Sequence, residues 1–302
     1  MVVEVVLESR VLEVTQPCDF VASVESGQSH RWEKDEGWHW CILAGRIIKA
    51  RTLAQGPGSI TIEYQASPQG DPEGLEEELS RYLRLDDDLD AIYNDISRDS
   101  RVASMVDRYR GLRLLRVDPW ECLLSFICSA NSNLARIHAN VESMAQSLGS
   151  SVSLNGRTRY ILPEPDVLAS AGETFLRGLG LGFRAPYVAY AAQAVASGQI
   201  DLEQLKSMPY LEAKGRLMEL HGIGSKIADC VLLHSLEKVE AFPIDVWVRR
   251  ALLDWYFPGQ KAPPDKVLLE WALDYFGPNA GYAELYLFHG RRLKKTRDGE
   301  GT

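Results

Sequence analysis

The segment with the clearest chemical content is Leu220-His221-Gly222-Ile223-Gly224-Ser225-Lys226-Ile227-Ala228-Asp229-Cys230, which joins two helical stretches through a Gly-x-Gly turn. Two glycines allow a tight reversal and aim the free N–H groups of the next helix's first turn outward, ready to hold a phosphate. The run Ala241-Phe242-Pro243-Ile244-Asp245-Val246-Trp247-Val248-Arg249 places Pro243 where one element stops and Asp245, nineteen residues after Lys226, where it caps the next helix. Taken by itself, the hairpin reads equally well as a plain connector and as a non-specific DNA clamp. Helical spacing groups further side chains: Cys230 lies four residues after Lys226, and Glu284 and Phe288 share a face of the last helix. For Cys230 and Phe288, spacing alone favours ordinary core packing.

The elements that must position these residues fall into two groups. From residue 1 to about 65 the hydrophobic period is near two, over Val2–Leu7, Trp38–Leu43, Arg46–Leu53 and Ser59–Tyr64, which predicts an antiparallel sheet. Beyond Gly70 helix starts take over, the strongest being Asp118-Pro119-Trp120-Glu121, read as an N-cap, a first-turn proline and a capping-box glutamate. Helices are expected over 73–84, 86–97, 101–109, 118–130, 133–148, 166–177, 184–198, 201–207, 209–219, 224–236, 246–256, 264–276 and 280–292, with a frayed polar tail from Lys294 to Thr302. The fold class is α+β: an N-terminal antiparallel sheet domain with a flanking helix over 1–84, then a mostly helical domain over 85–302 with the hairpin at about 215–230. Gly178-Leu179-Gly180-Leu181-Gly182 follows a helix and not a strand, so it does not read as a dinucleotide-binding loop.

With 45% hydrophobic and 25% charged residues over 302 positions, the chain can bury a sizeable core and is not a disordered protein. It has no run of eighteen apolar residues, and Glu4 and Glu8 interrupt the start, so neither a membrane span nor a secretion signal is expected. Five cysteines without a C-x-x-C pair (Cys18, Cys41, Cys122, Cys128, Cys230) argue against a disulfide scaffold, a zinc knuckle or an iron–sulfur cluster. The net charge of −9 is uneven: residues 1–100 carry 9 basic against 20 acidic residues, and residues 101–302 carry 24 against 22. Total charge therefore does not exclude DNA, because the local field of a binding face decides.

These segments resemble the helix-hairpin-helix DNA glycosylases, and within them the 8-oxoguanine branch, over nearly the whole chain. Two further stretches carry the resemblance: Asp118 through Ile137, which is similar to the branch's helix and intercalating loop, and Gly180-Leu181-Gly182-Phe183-Arg184-Ala185, similar to its second wedge. The resemblance implies a base excision enzyme that flips 8-oxoguanine, preferably opposite cytosine, out of duplex DNA and excises it through a lysine Schiff base, with AP lyase activity by β-elimination. In that scheme Lys226 is the nucleophile, and Asp245 stabilises the positive charge that develops on the sugar. Cys230 and Phe288 sandwich the flipped base, the Gly27 carbonyl in Ser26-Gly27-Gln28-Ser29-His30-Arg31-Trp32 accepts the lesion's extra N7 hydrogen, and Glu284 meets the base edge. Asn131 and Phe183 fill the gap in the duplex, Arg136 and Arg184 donate to the estranged cytosine, and Gly222, Gly224 and Trp247 contact the backbone.

Two positions depart from the branch's usual pattern. Glu284 stands where glutamine is usual, and its carboxylate is expected to accept from both donors of the guanine edge. Trp247 stands where a phosphate-contacting histidine is usual. No cofactor is required by the resemblance, which also implies a structural monovalent or divalent cation at the carbonyls of Met218, Leu220 and Ile223. The expected partner is double-stranded DNA containing 8-oxoguanine, without membrane attachment, and the protein is expected to be a monomer acting in the nucleoid or nucleus. The competing readings are a relative with another lesion specificity and a non-catalytic helix-hairpin-helix module. Endonuclease III and the adenine-specific glycosylase carry a four-cysteine cluster after the catalytic domain, whereas the last cysteine here is Cys230; alkylation-repair relatives generally lack the hairpin lysine. A DNA-binding module would need Gly222 and Gly224 but neither Lys226 nor Asp245.

Overall fold

The computed structural model describes residues 9–56, 58–68 and 72–299. Its N-terminal sheet contains β1 (Arg10–Val14), β2 (Glu33–Asp35), β3 (Trp38–Leu43), β4 (Arg46–Gly56) and β5 (Ser59–Ser67), in the antiparallel order β1-β5-β4-β3-β2. The expected strand Val2–Leu7 lies outside the described residues. Ala44 and Gly45 (φ 47° and 72°) form the two-residue turn between β3 and β4, and Glu36 and Gly37 (φ 47° and 79°) do the same between β2 and β3. Left-handed pairs of this kind match the right-handed twist of the flanking strands.

Strand alternation divides the sheet's side chains between two cores. Cys41, Leu43, Ile48, Ile60, Ile62 and Tyr64 join the main core shared with the helices. Trp40, Ile42 and Ile47 point the other way and meet Leu154 in a second, smaller cluster. Leu154 belongs to a hairpin, β6 (Ser151–Leu154) and β7 (Arg157–Tyr160), in a stretch expected to be a loop between the helices over 133–148 and 166–177. The hairpin forms because Asn155-Gly156 adopts the left-handed turn (φ 50° and 77°) and because Leu154 and its neighbours cover an otherwise exposed apolar sheet face.

The sheet region also holds the five-residue helix α1 (Phe20–Val24), capped by Asp19. The remaining helices are α2 (Pro72–Tyr82), α3 (Leu89–Ile96), α4 (Ser100–Arg108), α5 (Pro119–Cys128), α6 (Leu134–Leu148), α7 (Pro165–Gly178), α8 (Ala185–Ala196), α9 (Leu202–Ser207), α10 (Tyr210–Met218), α11 (Ser225–Ser235), α12 (Val246–Trp255), α13 (Asp265–Phe276) and α14 (Ala280–Gly299). Contrary to the expected frayed tail, residues 294–299 continue α14. Buried Tyr282, Ala283, Leu285, Tyr286 and Leu287 make α14 a central helix. Gly281 permits its close approach to α11, where a Cβ would lie 2.2 Å from the Leu233 side chain. Among the described residues no helix is long and apolar enough to cross a membrane.

Buried polar contacts tie the loop 25–32 to the helical part. Gln28 donates to Arg113 O and accepts from Leu115 N–H, both at 2.9 Å. Arg31 pairs with Glu142 of α6 at 2.8 Å, and Arg159 of β7 reaches the same carboxylate at 2.9 Å. Such charges tolerate burial because each is paired. The Asp118 cap of α5 forms as expected, accepting from Glu121 N–H at 2.9 Å. The Glu121 side chain turns inward toward Arg31, 3.8 Å away, in place of the expected capping box.

Candidate active site

The hairpin is built by α10 and α11. Its first glycine has no substitute: Gly222 has φ +87°, and a Cβ there would lie 2.3 Å from the Tyr187 ring. Gly224 caps α11 without a side-chain bond, so the helix's first turn keeps N–H groups for an outside acceptor. Behind the turn, Asp229 receives Lys214 Nζ and Tyr210 Oη, both at 2.7 Å, which locks α11 to α10. Burial raises the Asp229 carboxyl's pKa, opposed by Lys214. A shallow depression of about 680 Å³ over the turn is lined by Met218, Leu220 and Ile223 with both hairpin glycines. Leu220 O already accepts Ile223 N–H at 3.1 Å. Among the described residues no group of three or more His, Cys, Asp or Glu side chains is arranged for a metal.

On the other side of α11 lies a cavity of about 850 Å³ to which Lys226, Cys230, Asp245, Trp247, Glu284, Phe288, Gly27 and Asn131 all contribute. Lys226 Nζ donates to Ser129 Oγ of the loop after α5 at 3.3 Å and stands 5.3 Å from the Phe126 ring centre. Asp245 Oδ1 accepts from Trp247 and Val248 N–H, both at 2.8 Å, so the cap occupies one carboxylate oxygen. Burial raises the pKa of Asp245, partly offset by those cap bonds and the Lys226 charge. Cys230 is buried one turn after Lys226, and desolvation pushes its thiol up to about 12, keeping it neutral.

Glu284 is the most unusual group in the cavity. It is only 6% exposed. Burial first, then the charge of Asp245, lifts its pKa well above the ordinary carboxyl range, with Lys226 opposing and Asp229 adding to the rise. The upward shift favours the protonated acid over the carboxylate that the residue type suggests.

Of the residues expected to fill the duplex gap or read the estranged base, Asn131 lines the cavity, whereas Arg136, Phe183 and Arg184 do not. Asn131 sits at the loop tip with φ +47°, and Phe183 projects from a 3-10 turn (Gly182–Arg184) with 45% of its surface exposed. Arg136 is exposed in the first turn of α6, which Asn133 caps. Arg184 differs from the expected free donor. It is 1% exposed, donates to the carbonyls of Ala130 and Asn131, and lies 4.4 Å from the Phe183 ring, so it braces one wedge loop against the other.

Several cavity residues carry no motif of their own. His30 and His234 pack on Phe126, edge-on at 5.4 Å and stacked at 5.6 Å, and burial lowers the pKa of each to about 3. Arg292 also lines the cavity. Its four-residue spacing from Phe288 was the available signal, whereas His30 and His234 have no local pattern that separates them from core histidines.

Residues 11–123 match the N-terminal domain of 8-oxoguanine DNA glycosylases, and residues 124–272 match the HhH-GPD superfamily of base excision DNA repair proteins. The chain is 34% identical over 251 residues to a probable N-glycosylase/DNA lyase of Methanothermobacter thermautotrophicus, covering 75% of this chain and 79% of the relative. It is 31% identical over 287 residues to the N-glycosylase/DNA lyase OGG1 of Arabidopsis thaliana, covering 91% and 77%. Among solved structures, the Clostridium acetobutylicum 8-oxoguanine glycosylase/lyase, in complex with double-stranded DNA containing cytosine opposite 8-oxoguanine, superposes with a TM-score of 0.84 at 27% identity, covering 96% of this chain and 99% of that one.

Proposed function

The chain belongs to the HhH-GPD superfamily of base excision DNA repair proteins, in its N-glycosylase/DNA lyase branch, and on that premise we propose that it excises 8-oxoguanine from duplex DNA through a Schiff base on Lys226 and then nicks the strand. One observation carries the reading: a nucleophilic amine, a carboxylate, a ring, a thiol and a peptide turn line one cavity, although they come from α11, the cap of α12, α14 and the loop after α1. The neutral form of Lys226 attacks the sugar carbon as the base departs, and Asp245 stabilises the oxocarbenium charge from its own side of the cavity. The resulting imine acidifies the neighbouring C–H, and β-elimination cleaves the strand. The flipped base lies between Cys230 and Phe288, with Gly27 O for the N7 hydrogen and Glu284 at the opposite edge.

The hairpin amides at Gly222 and Gly224, with Trp247, hold the backbone, and a cation at the carbonyls of Met218, Leu220 and Ile223 would complete the turn. Asn131 and Phe183 occupy the vacated stack, and Arg136 inspects the cytosine while Arg184 supports the loop beside it. The site of action is the DNA, in nucleoid or nucleus. Borohydride trapping on an 8-oxoguanine:cytosine duplex tests the chemistry: the wild type should become covalently attached and Lys226→Gln should not. An adduct that survives Lys226→Gln would move the reaction to another amine, and a wild type that never traps would favour the non-catalytic DNA-binding reading.

A further inference from the structure

Arg292 joins two parts of the cavity that are far apart in sequence. It lies four residues after Phe288 and eight after Glu284, on the same side of α14. Its Nη1 donates to Ser26 O and its Nη2 donates to Glu25 O at 2.9 Å, while its guanidinium stands 5.6 Å from the Phe288 ring centre. The neighbouring residue on the loop is Gly27, with φ +92°, where a Cβ would lie 2.6 Å from Arg292 Nη1. Glycine at 27 therefore makes room for this guanidinium as well as for the backbone turn. Gly27 O accepts no hydrogen bond among the described residues, so the turn is held by its flanks. Gln28 anchors one flank to residues 113–115, and Arg292 anchors the other to α14.

We propose that Arg292 is a positioning residue for lesion discrimination: by clamping the carbonyls of residues 25 and 26 to the helix that carries Phe288 and Glu284, it fixes the spacing between the Gly27 carbonyl and the base-stacking wall. This rests on the glycosylase reading above. A hydrogen bond that must find one atom on a bound base depends on sub-ångström placement, and a planar two-donor fork restrains a loop in a way that a single contact does not. Arg292 acts through the loop that carries Gly27, so the base-dependent step should feel its loss and the later steps should not.

The experiment compares wild type, Arg292→Met and Arg292→Lys in single-turnover excision from an 8-oxoguanine:cytosine duplex, in cleavage of a preformed abasic site, and in affinity for undamaged duplex. Arg292→Met should lose about tenfold or more in excision, since small displacements of a reading group are costly. Abasic-site cleavage and duplex affinity should stay within about twofold, because neither uses the base-reading carbonyl. Arg292→Lys should recover part of the loss, as one ammonium can replace one of the two bonds. In a Gly27→Ala background, removing Arg292 should cost little more, which a general loss of structure would not reproduce. Equal losses in excision and abasic-site cleavage, unchanged excision, or a parallel fall in duplex affinity would each overturn the assignment. Amide hydrogen exchange at residues 25–28 separates the two readings. If the wild type leaves 8-oxoguanine in place, the glycosylase reading and the discrimination role fail together, and faster exchange in Arg292→Met would then show the clamp alone.

Discussion

Replacing Glu284 by glutamine tests whether the cavity holds a neutral acid. A carboxyl whose pKa is higher folded than unfolded keeps its proton on folding, so the folded state binds more protons and stability falls as pH rises from the unfolded value toward the folded one. Over that window the penalty grows by about 1.4 kcal/mol per pH unit. Glutamine has the same shape, presents one acceptor and a donor group, and has no proton to hold. Glu284→Gln should therefore be more stable than wild type, with a margin that widens from pH 5 to pH 8 by at most about 4 kcal/mol. For 302 residues, 1 kcal/mol corresponds to roughly 1.6 °C in Tm, so the widening should reach at most about 6 °C. Activity follows the same chemistry. The neutral acid offers its carbonyl to a base N–H and its hydroxyl to O6, and glutamine reproduces that pair. Glu284→Gln should excise at nearly the wild-type rate near neutrality and escape the wild type's decline as pH rises through the raised pKa. Glu284→Ala, losing two neutral hydrogen bonds of about 1 kcal/mol each, should be slower by roughly 30-fold. The assays are thermal unfolding and single-turnover excision of the three proteins across pH 5 to 8. A stability difference between Glu284 and Gln that does not change with pH would refute the neutral acid. So would an acid-side loss of activity that is present in the wild type and absent in Glu284→Gln, which is the behaviour of the carboxylate first expected from the sequence.

Asp245→Asn should retain lesion-duplex affinity and lose excision by about a hundredfold or more, since a charge felt mainly in the transition state is removed while the amide oxygen can still cap α12; comparable losses in binding and turnover would assign Asp245 to capping alone. Arg136→Ala should leave Tm unchanged and relax the preference for cytosine over adenine by about 1–3 kcal/mol, measured as a ratio of excision rates on the two duplexes. Arg184→Ala should also lower Tm, because its bonds to the carbonyls of Ala130 and Asn131 are buried and charge-assisted; an unchanged Tm would contradict the bracing role. Gly222→Ala should weaken undamaged-duplex binding and stability together, as the new methyl group meets Tyr187 in a left-handed conformation; a variant neutral in both would mean that the turn relaxes freely.

Local chemistry made much of the helical part readable. Asp118, Asp201 and Asp245 cap the helices they precede, because a side-chain oxygen before an apolar periodic run satisfies first-turn N–H groups in any surroundings. The hairpin was legible for the same reason: glycines at 222 and 224 state a backbone requirement that needs no partner to be recognised. Short elements were harder. Helix α1 is only five residues long and β1 five, too short for periodicity to separate them from loop, and the four-residue strands β6 and β7 fall in a stretch between two expected helices.

The spacing of Lys226 with Cys230 and of Glu284 with Phe288 placed each pair on one helix face, but not which face met a cavity. Tertiary packing decided that, by bringing Gly27 and Arg292 into hydrogen-bonding distance of one another's segments across more than 260 positions of chain. It also decided the state of the groups it assembled. Arg184 became a loop brace because two carbonyls reach it in the fold. The carboxyl of Glu284 is pushed toward its protonated form because burial and Asp245 outweigh the opposing charge of Lys226. Side-chain type and spacing are written in the chain, whereas desolvation and the sum of nearby charges exist only after distant segments have packed.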